Sequence, residues 1–272
     1  MRGAGRLGGM VRRPLSMIAV LAMTATLAVG CGADDEETAA PAPSVPSASA
    51  PAVPSGSAPA ATPSSPEPAP TAAPDAKLRR GAKGAAVVAL QQRLTELGYW
   101  NGRADGSFGL LTQQAVYALQ KAAGLGRDGV VGPKTRKALQ SGVRPKARSD
   151  SGRQVEIDRR RQLLMLVDDG EVTQSFNTST GSGENYERDG RTYRASTPAG
   201  RFRVSRQIDG WRDAPLGMLW RPKYFNGGIA VHGSPSIPPY PASHGCARLS
   251  VPAMNWIWAN DKMPIKTRVW VY

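Results

Sequence analysis

AVHGSPSIPPYPASHGCARL, residues 230–249, is the stretch on which the reading of this chain turns. The 272-residue sequence holds two histidines and two cysteines, and His232, His244 and Cys246 all fall within it. A thiol attacks as its thiolate, and an imidazole or a positive charge beside it favours that form. The segment supplies both. In an extended chain residues two apart share a face, so His244, Cys246 and Arg248 are expected to point the same way. Gly245 permits a sharp turn just before the thiol, and its amide with that of Cys246 is expected to meet a developing oxyanion.

Residue types alone leave three chemistries open. Cys246 can be a buried small hydrophobe beside hydrogen-bonded histidines. Two imidazoles and a thiolate can instead hold zinc with a fourth position open to water. The third reading is a cysteine nucleophile with one of the two histidines as its base. HExxH and CxxC are absent, and no carboxylate lies between Asp213 and Asp261 to serve as the base of a zinc hydrolase. The gathering of the chain's only histidines around one thiol favours the nucleophile. Which histidine serves it stays open on these grounds.

With His232-Gly233 followed by Ser243-His244-Gly245-Cys246-Ala247-Arg248, the segment resembles the signature of the L,D-transpeptidases with a YkuD-type catalytic domain. Ser179-Thr180-Gly181 and the run Thr197-Pro198-Ala199-Gly200-Arg201-Phe202 stand where that family carries similar segments, so the resemblance spans 154–272. It implies a mainly β sandwich and needs no cofactor or metal. It also implies roles: Cys246 as nucleophile, and His232 as proton donor and acceptor with its ring oriented by the carbonyl of Gly233. Ser243, His244, Gly245 and Arg248 would support them. The substrate would be a peptidoglycan stem peptide, acylating the thiol and passing to an amine to form a 3-3 cross-link. Water in place of the amine would make an L,D-carboxypeptidase, and a chain that only binds the wall is the remaining alternative.

Outward from this region the composition changes. Residues 77–150 hold 14 basic and 4 acidic side chains, net +10, and 154–272 hold 16 and 11, net +5, within a total of +14. So basic a chain invites a nucleic-acid reading, but the N-terminus argues against it. Arg2, Arg6, Arg12 and Arg13 precede an apolar run over 15–29, too short to span a bilayer, which ends on small residues before Cys31. Residues 1–30 therefore read as a signal peptide resembling a bacterial lipoprotein signal, with Cys31 as lipid attachment site and the membrane as partner. An extracytoplasmic place facing the cell wall follows. With Cys31 lipidated, Cys246 is the one thiol left, and an idle thiol is a liability in an oxidising compartment.

Residues 31–76 form a Pro/Ala/Ser tether carrying 11 of the 23 prolines. It has too few large apolar side chains to fold and would reach roughly 140 Å when stretched as polyproline II. From 77 to 141 the period turns helical: Val87, Leu90, Leu94 and Leu97, then Ala115, Leu119 and Ala122. Asp105-Gly-Ser-Phe-Gly-Leu-Leu-Thr112 and Asp128-Gly-Val-Val-Gly-Pro-Lys-Thr135 are repeats of one pattern, and Gly132-Pro133 reads as a helix start. A three-helix unit is expected, with Phe108 and Val131 as loop anchors. This run resembles the peptidoglycan-binding module common on wall enzymes, which implies a glycan or peptide ligand with Tyr99, Trp100 and Phe108 near its groove. Residues 142–153 read as a linker.

The expected whole is an α+β multidomain chain, a small three-helix domain followed over 154–272 by a β-rich sandwich with one helix. Strands are expected at 154–158, 163–167, 171–178, 201–208, 228–232 and 268–272, with a hairpin turn at Asp168-Asp169-Gly170 and the helix at 251–260. Segments 186–194 and 211–225 are expected to flank the cleft, with Trp220, Tyr224 and Tyr240 as substrate contacts.

Overall fold

The computed structural model describes residues 77–272. The signal segment, Cys31 and the tether lie outside the described residues.

Three helices form first: α1 (Ala85–Glu96), α2 (Leu110–Ala122) and α3 (Pro133–Gln140). Their apolar stripes close a core of Val87, Leu90, Leu94, Val116 and Leu119, and Phe108 and Val131 are buried in it at 2% exposure each. The sequence repeat has a structural cause. Gln91 is buried in α1 and holds Asp105 Oδ1 at 2.9 Å, Thr112 Oγ1 at 2.9 Å and the Gly106 amide at 2.9 Å. Gln120 in α2 holds Asp128, Thr135 and the Gly129 amide in the same way. The Asp, Gly and Thr of each repeat thus satisfy one buried amide side chain, which would otherwise cost its full desolvation.

Two sheets follow. The first runs β3 (Glu171–Asn177), β2 (Leu163–Asp168), β1 (Gln154–Asp158), β12 (Arg268–Val271) and β6 (Gly200–Arg203), with β1 and β12 parallel. The turn between β2 and β3 has Asp169 at φ 44° and Gly170 at φ 82°, the mirror-image geometry that suits a two-residue hairpin. The second sheet runs β11 (Ala247–Ser250), β10 (Ile229–Ser234), β9 (Gly217–Asn226) and β7 (Arg206–Gln207), with β8 (Trp211–Ala214) also on β9. Val155, Ile157, Leu164 and Phe176 from the first meet Phe225, Val231 and Leu249 from the second in one core, closed by Ala253, Met254 and Ile257 of α4 (Val251–Ala259). The sandwich with one helix is as expected. Helix α4 starts where Ser250 Oγ accepts from the Ala253 amide at 3.2 Å, with a proline in the first turn.

The expected strands are present, although 201–208 divides into β6 and β7. Five elements were not foreseen as strands: β8, β9, β11 and the ribbon of β4 (Asn185–Arg188) and β5 (Arg191–Arg194). β5 is exposed at every position and β4 has no buried one, so neither leaves the alternation that marks a half-buried strand.

The aromatic groove expected on the small domain is absent. Tyr99 is fully buried, its hydroxyl donating to Val143 O at 2.8 Å, and Phe108 fills the helical core. Trp100 reaches into the sandwich, its ring stacked 5.9 Å from Phe176 and tilted 6.2 Å from Trp256. Backbone pairing joins the domains there: Trp100 N donates to Ser175 O and Ser175 N to Gly98 O. The 142–153 segment is likewise a strap and not a free spacer. Arg144 Nη2 donates to Val172 O at 2.6 Å, while the amides of Arg148 and Ser149 and the hydroxyls of Ser149 and Tyr272 all donate to the buried carboxylate of Glu156.

Candidate active site

β10 and β11 lie parallel with Val231 opposite Ala247 and His232 opposite Arg248. Cys246, one residue before β11, therefore sits opposite Ala230, whose amide donates to its sulfur at 3.4 Å. Side chains two apart share a face, and His232, Cys246 and Arg248 line one cavity of about 710 Å³ together with Ser243, His244 and Gly245. The thiol sits half-buried in this cavity and His232 is 4% exposed. Among the described residues, no three His, Cys, Asp or Glu side chains gather as a metal site requires.

His232 Nδ1 lies 2.9 Å from Gly233 O. A carbonyl only accepts, so Nδ1 carries the hydrogen and Nε2 is left as the basic nitrogen. Burial holds the imidazole down at about 4, outweighing the opposing effect of this hydrogen bond, and Arg248 adds to the lowering. Burial also pushes the Cys246 thiol up, only partly countered by the Ala230 amide and Arg248. The resting pair is thus neutral thiol and neutral imidazole, contrary to the thiolate that the sequence pattern suggests. The sulfur and the ring make no hydrogen bond to each other in this state. Burial lowers the pKa of Arg248 too, and no carboxylate pairs with it among the described residues.

The loop bearing the thiol is clamped by the flanking motifs. Ser243 Oγ donates to Cys246 O at 2.6 Å and accepts from the Gly245 amide at 3.0 Å. That amide is therefore engaged in holding the loop, and the expectation that it faces an oxyanion is corrected. Thr197 Oγ1 donates to Gly245 O at 2.6 Å and accepts from the Gly181 amide at 2.9 Å. Thr180 O accepts from the Ser243 amide, and Ser179 O from the Arg248 amide. The clamp leaves no room for side chains. A Cβ on Gly181 would lie 2.6 Å from Ala195 O, one on Gly245 2.9 Å from Ser196 O, and Gly245 has φ 151°.

His244 is exposed and not in a strand; its ring meets Tyr186 edge-on at 4.8 Å. It lines the cavity with Cys246 but through a bend, so the shared face expected of an extended run begins only at the thiol. Of the expected substrate contacts, Tyr224 lines the cavity, with Arg206 stacked 3.8 Å over its ring. Trp220 does not. It is wedged beneath Gly233, where a Cβ would fall 2.8 Å from its ring, and donates to Asn255 Oδ1 at 2.7 Å. Tyr240 is 59% exposed away from the cavity and contributes its carbonyl to Ser179 Oγ at 2.8 Å. Trp220 is corrected to a packing role, and Tyr240 lies off the cavity wall with its backbone engaged. Segments 186–194 and 211–225 line the cleft, through Arg188, Arg194, Arg212 and the exposed Trp211 and Met218, and Arg206 joins them from β7. Their surplus of arginine is visible in the sequence; their convergence is not.

A sandwich with this Ser-x-Gly-Cys loop beside a parallel-strand histidine defines a class. The family model of the L,D-transpeptidase catalytic domain, YkuD, matches residues 152–271, and that of a peptidoglycan binding domain matches 83–139. The chain is similar to the crystal structure of an L,D-transpeptidase from Xylanimonas cellulosilytica, with 57% identity and a TM-score of 0.71, covering 76% of this chain and 100% of that one. It therefore belongs to the L,D-transpeptidase family. Curated relatives match over less. The N-acetylmuramoyl-L-alanine amidase CwlL of Bacillus licheniformis is 47% identical over 79 residues, 28% of this chain and 22% of that protein. The spore cortex-lytic enzyme of Bacillus subtilis is 48% identical over 63 residues, 23% and 21% respectively. This chain thus spans about a fifth of the length of these curated relatives.

Proposed function

We propose that this protein is a cysteine-dependent L,D-transpeptidase that cross-links peptidoglycan stem peptides, working outside the cytoplasm on a lipid anchor at Cys31. The observation that carries the chemistry is a thiol and a neutral imidazole on one face of two parallel strands, with Nδ1 committed to Gly233 O and Nε2 free to accept. As Sγ attacks the carbonyl of the third stem residue, its proton passes to His232 Nε2. The imidazolium then protonates the amine of the departing terminal D-alanine, leaving a thioester. An amine from a second stem attacks that thioester and loses its proton to His232, which passes it to the departing sulfur, completing a 3-3 cross-link and restoring the neutral pair. Starting from neutral partners, proton transfer accompanies attack, which is general-base catalysis in place of a preformed ion pair. Arg248 supplies positive potential beside the sulfur as charge develops.

The test is to incubate the purified protein with tetrapeptide stems and follow products by mass spectrometry. A cross-linked dimer is expected, and Cys246→Ala should remove it while leaving binding to isolated cell wall intact. A tripeptide without dimer would mean that water is the acceptor, making the protein a carboxypeptidase. Neither product would leave only wall binding. Labelling with palmitate and its loss in Cys31→Ala would report the anchor.

A further inference from the structure

The walls of the catalytic cavity carry five arginines and no aspartate, glutamate or lysine. They come from separate elements: Arg188 and Arg194 from the β4–β5 ribbon, Arg206 from β7, Arg212 from β8 and Arg248 from β11. Arg188 is answered by Asp189 at 2.9 Å, outside the cavity. Among the described residues, Arg194, Arg206, Arg212 and Arg248 have no carboxylate within 4.0 Å. Arg206 is held in place by stacking on Tyr224, which is 4% exposed. Guanidinium groups stay charged at any working pH, and converging them in one cleft costs mutual repulsion that an anionic ligand would relieve.

Resting on the functional reading above, we infer that this cleft selects stem peptides whose carboxylates before the terminal residue are free, and rejects stems in which they are amidated. Arg194 and Arg212, brought to the cavity by β5 and β8 and free of carboxylate partners among the described residues, are the specificity-determining pair. Each presents a planar fork that matches a carboxylate in two hydrogen bonds, whereas a neutral primary amide offers one acceptor oxygen and two unwanted donors. Arg248, opposite His232, lies too near the sulfur to be separated from the chemistry.

The full chain is assayed with a free-acid tetrapeptide stem and with the same stem amidated at those carboxylates. A preference in kcat/KM of about tenfold or more for the free acid is expected, since hydrogen bonds to charged groups are the stronger ones. It should shrink as salt rises. Arg194→Gln with Arg212→Gln should bring the ratio to within about twofold, whereas Arg191→Gln, on the same ribbon but off the cavity wall, should leave it unchanged. Equal kcat/KM for both stems, or a double variant that slows both alike and keeps the ratio, overturns the inference. Turnover of neither stem sinks the functional reading and this inference with it.

Discussion

His232 and Cys246 share a face but do not ionise one another at rest, and that sets the pH behaviour. An imidazole acts as a base only when neutral, so with its pKa held at about 4 the acid limb of kcat/KM should fall near pH 4 and not near the ordinary histidine value. A limb centred near 6.5 would mean that the ring is solvated in the working enzyme. The same shift touches stability. Between about 6.5 and 4 the unfolded chain binds the proton and the folded one does not, so this group's effect is absent above that window and destabilises progressively as pH falls through it. Gly181 gives a second residue-level expectation. Its φ is ordinary, so Gly181→Ala fails purely by collision with backbone atoms of 195–197. A loss of about 1–3 kcal/mol is expected, lowering the melting temperature by several degrees, with activity falling further because Thr197 and the thiol loop must shift. Thermal unfolding beside turnover checks it.

At the scale of elements, α2 does more than complete a small bundle. Lys121 is 2% exposed, and its Nζ lies 2.8 Å from Gln162 O, 3.1 Å from Thr178 O and against Asn177 Oδ1, all in the catalytic domain. Asn177 Nδ2 and Gln114 Nε2 both donate to Ile237 O at 3.2 Å, and Arg127 Nη1 to Pro239 O at 2.9 Å, so α2 and the loop after it hold the segment that follows β10. Burial pushes Lys121 down to about 6. Between about 6 and 10.4 the unfolded lysine is protonated and the folded one is not, so stability should rise with pH across that window. Lys121→Met removes the slope, so the stability of the parent protein relative to this variant should rise with pH. Urea unfolding of both forms from pH 6 to 10 reads the difference. A difference independent of pH would show that the three acceptors keep the ammonium charged.

For the whole molecule the consequence is cooperativity. β2 is buried on both faces because one packs into the sandwich while Leu163 joins the helical core and Met165 and Val167 lie under the strap. Residues 77–272 are therefore expected to unfold in a single calorimetric transition. A fragment of 142–272 would expose Leu163 and strip Trp100 from Phe176 and Trp256, losing on the order of 3 kcal/mol from the tryptophan alone. It should melt lower, and its kcat/KM should fall as the loop near Ile237 loses Gln114 and Arg127. Two separate transitions, or a fragment of undiminished stability and turnover, would contradict this coupling.

Local order was legible in the sequence because short-range physics creates it. The helical period of 77–141, the turn at Asp169-Gly170, the proline-marked start of α4 and the tightly spaced Ser243-His244-Gly245-Cys246 run each act over a few residues. The thiol and the family signature around it could be found the same way. What the tertiary structure alone decided depends on groups far apart in the chain. Burial, which no residue's neighbours in sequence reveal, makes the thiol and imidazole neutral. The Gly245 amide is taken up by Ser243 while Thr197, 48 positions away, pins its carbonyl. Trp220 became a wedge and Trp100 a domain joint because packing partners are chosen by the fold. Five arginines spread over 188–248 became one cationic cleft only when three separate strands and a two-stranded ribbon brought them to face the same space.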